Sequence, residues 1–293
     1  MTREGRLPGH TLALLDAQSE LIMELVPCED GHAQKRSLLP SLLERVRADT
    51  VIVANRNFCT THFLFGLSLR STCFIIRQHA STLTYRFEGR RREIGRCETG
   101  ILYEQTLILT NPNATGNDGS ALKVRRITLQ LDTPTQSGDE ELHLLTNLPT
   151  KVTAKRIAET YRLRWTIEGA FQTLTDVLRC QVETLGYPKA ALFSFAMAVL
   201  AWNAYAVVLA ALRSIHGEQK IDDEFSDEHF IRDVVLTQTG MNIAVAPAVW
   251  EEYRAHTEAV RTDAATTRQK RRSQSLPQTQ ARPQQATTQT KEW

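Results

Sequence analysis

Tyr161, Arg164 and Glu168 bring a phenol, a guanidinium and a carboxylate together within eight residues. In a helix the spacings i, i+3 and i+7 fall on one face. A guanidinium suits two-pronged contact with a phosphate. A carboxylate suits a hard divalent cation. The same pair of charges is equally a solvent-facing ion pair of little energetic weight. Leu163, Ile167, Phe171, Leu174 and Leu178 recur at i+4 and i+3 beside them. That pattern predicts one long helix with this apolar face on a core.

The elements that must hold such a helix come earlier. Two apolar runs, 11–15 and 21–26, predict a hairpin of buried strands. Residues 36–46 have a helical pattern, with Pro40 near the start. The β-branched run 50–54 predicts a strand that stops at Asn55-Arg56-Asn57. Thr60 or Thr61 is placed to cap a helix reaching about Arg70, and 73–77 predicts another strand. This order indicates an α/β domain with a mixed sheet. In such sheets functional groups gather at the carboxyl ends of strands, where Asn55 lies.

From 82 to about 139 the helical period disappears and short runs alternate with Gly, Asn and Asp turns, predicting an antiparallel β insert. It holds Arg86, Arg90, Arg91, Arg92, Arg96, Arg125 and Arg126, with Arg77 just before it. Such a surface reads either as a phosphate-gripping sheet or as a solvated face. Residues 141–148 read as a strand ending in Asn147. Residues 190–212 are almost wholly apolar and long enough for a membrane span. Asn203 within them and the lack of strong basic anchors favour a helix buried in a core.

The 293 residues are 42% hydrophobic, enough for one large domain or two small ones. The net charge of +2 is unevenly spread. Residues 261–293 carry seven Lys/Arg against Asp263 and Glu292, a net +5, so the remainder is −3. This Thr/Gln/Arg-rich tail is expected to be disordered, with 270–272 as a weak electrostatic hook for nucleic acid. Five cysteines without a C-x-x-C pair fit a reducing cytoplasm and argue against a disulfide framework or a zinc site. No secretory signal is present at the N-terminus. His10, His32, His62 and His79 are scattered over separate elements. Glu29 and Asp30 read as a turn before Gly31. Cys59 and Trp165 read as packed side chains.

The motif Tyr161-x-x-Arg164-x-x-x-Glu168, with an upstream apolar strand ending in Asn55-Arg56-Asn57-Phe58, resembles the DDE transposases of the insertion-sequence-four family. Segments 27–39, 55–61, 76–81 and 184–193 strengthen the resemblance, which runs from Leu7-Pro8-Gly9 to about Arg213. It implies an RNase H-like core interrupted by a β insert before the last acid. The implied layout is 7–80 for the first part of the core and 81–140 for the insert. The rest of the core follows at 141–215, peripheral helices at 216–260 and the basic tail at 261–293.

The resemblance also implies chemistry. In that family three acids hold two Mg²⁺ ions, about 3.5–4 Å apart in such sites, for in-line phosphodiester displacement on double-stranded DNA at terminal inverted repeats. Glu168 stands at the last acid and is the implied metal ligand. Tyr161, Arg164 and Arg56 are the implied DNA contacts. The family's closing Lys falls on Thr175, and its second acid falls on Asn55. Its first acid lies on a strand upstream of Leu7-Pro8-Gly9, so that core strand is expected to be missing. Asp16, Glu29 and Asp30 are the nearest substitutes. The expectation is a cytoplasmic, DNA-associated transposase copy, N-terminally truncated and catalytically impaired. It would act without a membrane, as a homodimer or in mixed oligomers. The alternative is a non-catalytic remnant that binds element ends or inhibits an active transposase.

Overall fold

A computed structural model describes residues 10–112, 121–135, 137–178, 180 and 187–240. These fall into two units, one reaching Val207 and one starting at Val208. The tail at 261–293 lies outside the described residues.

The first unit opens with an antiparallel hairpin, β1 (His10–Leu15) and β2 (Ile22–Cys28). The turn between them is tied by Asp16. Its carboxylate accepts from the Ser19 hydroxyl at 2.5 Å and from the Ser19 amide at 3.2 Å. A short 3₁₀ turn, Lys35–Leu38, leads into α1 (Leu39–Arg45). Pro40 sits in the first turn of α1, where no amide donor is needed. Then come β3 (Val51–Ala54), a 3₁₀ turn (Arg56–Phe58), α2 (Thr61–Leu69) and β4 (Cys73–Arg77). Of the two candidate caps, Thr60 is the one used: its hydroxyl accepts from the Phe63 amide at 3.3 Å.

Three long antiparallel strands follow: β5 (Thr84–Cys97), β6 (Gly100–Thr110) and β7 (Ala121–Leu131). Strand β8 (Glu141–Thr146) then returns between β7 and β4. The result is one six-stranded mixed sheet in the order β3-β4-β8-β7-β6-β5, with β3 and β4 parallel and all other pairs antiparallel. The β insert therefore continues the core sheet. Asn147, just past β8, extends the ladder with its side chain. Its Oδ1 accepts from the Phe74 amide at 2.9 Å, and its Nδ2 donates to the Thr72 carbonyl at 3.0 Å.

Each face of the sheet has its own helical cover. On one face Ile52, Ala54, Phe74, Ile76, Leu107 and Val124 pack with α1 and α2. Leu12 and Val26 of the hairpin join the same cluster. On the other face Ile75, Leu102, Ile127, Leu129 and Leu144 meet Ala154, Ile157 and Ala158 of α3 (Ala154–Arg162). The mixed α/β architecture with an antiparallel insert is thus the observed one.

The single long helix expected around Tyr161 is instead broken. Helix α3 stops at Arg162, and α4 (Trp165–Gln172) starts after a tight turn. The amides of Leu163 and Arg164 both bond back three residues, to Thr160 and Tyr161, so the chain tightens there. A π segment, Thr173–Val177, ends α4. Leu163 leaves the packed face and is exposed, while Ala170 and Leu174 are buried.

Helix α5 (Pro188–His216) is, among the described residues, the one helix long and apolar enough to cross a membrane. Its polar side chains are spent on the hairpin. Asn203 accepts from the Ile22 amide at 2.9 Å and donates to the Ile22 carbonyl at 3.0 Å. The Trp202 indole donates to the Glu20 carbonyl at 2.8 Å. Because the Leu21 carbonyl faces β1 through the Asp16 amide, the Ile22 amide and carbonyl point outward. Asn203 therefore pairs the outer edge of β2. In the second unit, α6 (Glu218–Glu224) and α7 (Asp227–Gly240) follow, and Arg213 holds Asp222 through Nη2 at 3.0 Å.

Candidate nucleic-acid site at the carboxyl ends of β3 and β4

Helix α3 is amphipathic, and its buried side carries Tyr161 onto the same apolar cluster as Val53 of β3. Burial pushes the Tyr161 phenol above its ordinary pKa, against the opposing pull of the Arg164 and Arg77 guanidinium groups. Arg164, in the turn between α3 and α4, donates to the phenol oxygen and forms an ion pair with Glu168 one turn on. Its guanidinium lies 4.3 Å from the centre of the Trp165 ring and 6.0 Å from that of Tyr161. The Arg164 side chain is only 16% exposed and its Nε is buried without a partner, whereas Glu168 is 47% exposed. Trp165, expected as packing, is instead exposed and serves as the platform under Arg164.

Tyr161, Arg164 and Glu168 thus meet as the spacing indicated, and Arg77 joins them. Sequence reasoning assigned Arg77 to the basic insert. The missed signal was its place at the end of β4, the strand parallel to β3. Asp139 pairs with Arg77 at 2.7 Å. The Ser137 hydroxyl and then Arg77 hold the Asp139 carboxyl down to about 2.

Asn55 lies at the end of β3 and caps the following turn, its Oδ1 accepting from the Asn57 amide at 2.9 Å. Arg56 is exposed in that turn. Among the described residues no hydrogen bond or ion pair joins Asn55 or Arg56 to the Arg164–Glu168 pair.

The substitute acids are used locally. Asp16 is tied to Ser19, which is the main cause of its lowered pKa. Asp30 accepts from the His32 amide at 2.8 Å, in the turn expected there. Among the described residues no group of three His, Cys, Asp or Glu side chains is placed to hold a cation. The donor set does not fit two Mg²⁺ ions. One candidate ligand is a neutral amide bonded to its own turn, and the other is a carboxylate already neutralised by Arg164. Cys59 is wholly buried, and burial pushes its thiol up, so it is a packed side chain.

The basic insert divides into two populations. Arg91, Arg96 and Lys123 pair with Glu141, Asp132 and Glu88 at 2.8, 2.5 and 2.6 Å. Arg126 lies over Phe87 at 4.8 Å. Arg125 is buried and structural: it grips Glu104 through Nε at 2.6 Å and Nη2 at 3.1 Å. Its Nη1 donates to the carbonyls of Leu148, Pro149 and Val152 at 3.4, 3.0 and 2.9 Å. Arg86, Arg90 and Arg92 are exposed on β5 with no ion pair among the described residues.

Residues 3–204 match the family model described as Transposase DDE domain. No curated protein matches the chain. Members of this family generally use divalent metal ions and act on DNA.

Proposed function

The chain belongs to the transposase DDE domain family, and from that premise we propose that it engages the ends of an insertion sequence of the insertion-sequence-four type without efficient metal-dependent strand transfer. Its transposase-like role on DNA follows from the family. The impairment rests on one observation: the two positions that should supply anionic oxygen hold an amide turned into its own turn and a carboxylate paired with arginine. Mg²⁺ draws its affinity from ligand charge, and neither group offers a free one.

The same corner suits a phosphate. Arg56 and Arg77 flank the ends of β3 and β4, and Arg164 presents a guanidinium held in place by Trp165 and Glu168. In this reading Tyr161, Arg164 and Arg56 contact the DNA backbone, and Glu168 orients Arg164. The protein works in the cytoplasm on double-stranded DNA, and pairing with itself or with an intact transposase would set its effect on transposition.

The test compares the unmodified chain with Asn55→Asp on a plasmid bearing element ends, in Mg²⁺. Retarded DNA without nicking by the unmodified chain, and a gain in nicking with Asn55→Asp, is the expected pattern. Equal, Mg²⁺-dependent strand transfer by both proteins would refute the impairment. Absence of any footprint on terminal repeats would refute end recognition.

A further inference from the structure

Strands β1 and β3 each have one open edge, and both edges border one core. Strand β1 pairs only with β2, and β3 pairs only with β4, among the described residues. Leu12 of β1 nevertheless packs in the same cluster as Ile52 and Ala54 of β3. The outer edge of β2 is taken by Asn203.

Strand direction follows from the turns. The 3₁₀ turn after β2 meets the one after β3, where Arg36 donates to the Asn57 carbonyl at 3.3 Å. So β2 and β3 end on the same side and run the same way, and β1 runs opposite. Which backbone groups face the opening is also fixed. Pro27 has no amide hydrogen and stands opposite Thr11, so Thr11 and Ala13 direct their N–H and C=O groups away from β2. The Thr50 carbonyl accepts from Cys73 of β4, so Val51 and Val53 point theirs away from β4. Buried backbone groups of this kind require partners.

We propose that these two edges form a receptor for one β-strand of a separate polypeptide, parallel to β3, antiparallel to β1 and apolar on both faces. The walls set that composition. Leu12, Ile52 and the α1–α2 layer bound one face, and Val53 with Ile157 and Ala158 of α3 bounds the other. The lengths of β3 and β1 limit the strand to four to six residues. The chain's own first residues are a poor match. A return through Leu7-Pro8-Gly9 would carry Arg3, Glu4 and Arg6 between apolar walls. Strand addition of this kind takes affinity from the main chain and specificity from alternate side chains.

The probe is a fluorescent peptide with a five-residue Val/Ile/Leu centre between lysine pairs, and its control has proline at the centre. Both are titrated into the full chain and into Ala13→Pro, which keeps the β1–β2 ladder and removes one donor to the receptor. Saturable binding of the first probe is expected, about tenfold weaker for the proline probe or for Ala13→Pro. In Val51→Cys, a cysteine at the amino end of the probe should form the disulfide, and one at the carboxyl end should not. Equal binding of both probes, equal binding by Ala13→Pro, or cross-linking at the carboxyl end would overturn the proposal. So would protection of the Ala13 and Val53 amides from exchange in the free chain, which would mean that residues 1–9 or a second copy already fill the edges.

Discussion

Arg125→Met should be among the most damaging single changes in the sheet, and the reason is countable. The guanidinium is nearly buried and makes two bonds to the Glu104 carboxylate and three to the carbonyls of Leu148, Pro149 and Val152. Those carbonyls form the bend that delivers Thr153, whose hydroxyl caps α3 through the Arg156 amide at 3.2 Å. Removing one partner of a buried charge pair costs about 3–5 kcal/mol, because the other charge stays behind. Here Glu104 keeps 24% of its side-chain surface in water, which lowers its share. The stranded carbonyls add back about 1–3 kcal/mol each where water does not reach. A net loss of about 3–4 kcal/mol is expected. With a urea m-value of about 1–3 kcal/mol/M, the unfolding midpoint should fall by about 1–3 M. Arg125→Lys keeps the charge but has no planar fork to reach Glu104 and the bend together, so it should recover only part of the loss. Adding Glu104→Leu to Arg125→Met should restore stability relative to Arg125→Met alone, since no unpaired charge remains. Urea unfolding of the three variants, with amide exchange over 153–164, is the assay. A cost below about 1 kcal/mol for Arg125→Met, with unchanged exchange in α3, would refute the argument that this arginine positions the helix bearing Tyr161.

Gly100→Ala should destabilise the β5–β6 turn by about 2 kcal/mol or more, read by thermal unfolding: its φ is +156° and an added Cβ would stand 1.9 Å from the Gln130 carbonyl oxygen. Stability should fall as pH drops below 6.5 through one protonation, and His143→Gln should flatten that slope. Burial, then Arg126, pushes the His143 pKa below its ordinary 6.5, so the unfolded chain takes the proton first. Asn203→Leu should cost about 1–3 kcal/mol by stripping the partner from both polar groups of the Ile22 backbone. It should also release the β2 edge to amide exchange, and retention of native exchange at Ile22 would count against α5 as its cover.

The alternation of apolar residues made the sheet and its helical layers legible, and β-branched runs marked β3 and β4 to within a residue. The break between α3 and α4 was not legible, because every residue from 160 to 168 tolerates a helix and the tightening comes from tertiary packing. Arg125 was misread as part of a basic surface for want of a period-two reading of β7. It stands in register with Ile127 and Leu129, which face α3, and a charged residue on that row must be buried and paired. The neighbouring Arg126 belongs to the other row, which is why it lies over Phe87 instead. The partnership of Arg77 with Tyr161 needed the parallel pairing of β3 and β4, a fact about register that no single segment carries.

The sign of charge at the strand ends is what separates the readings of this site. Arg56, Arg77 and Arg164 stand there against Asp139 and Glu168, and both carboxylates are already paired with an arginine. A pair of divalent cations would have to displace Arg164 from Glu168 and still lack a second anion, because Asn55 contributes only a dipole. A phosphate group needs no such rearrangement: it adds a negative charge where one guanidinium is unpaired and another is held on an aromatic platform. Asn55→Asp would change that sign, offering the cation its first unpaired carboxylate at the end of β3 and opposing the phosphate. One substitution should therefore move DNA affinity and metal affinity in opposite directions, an outcome that a surface ion pair at Arg164–Glu168, remote from any ligand, would not produce.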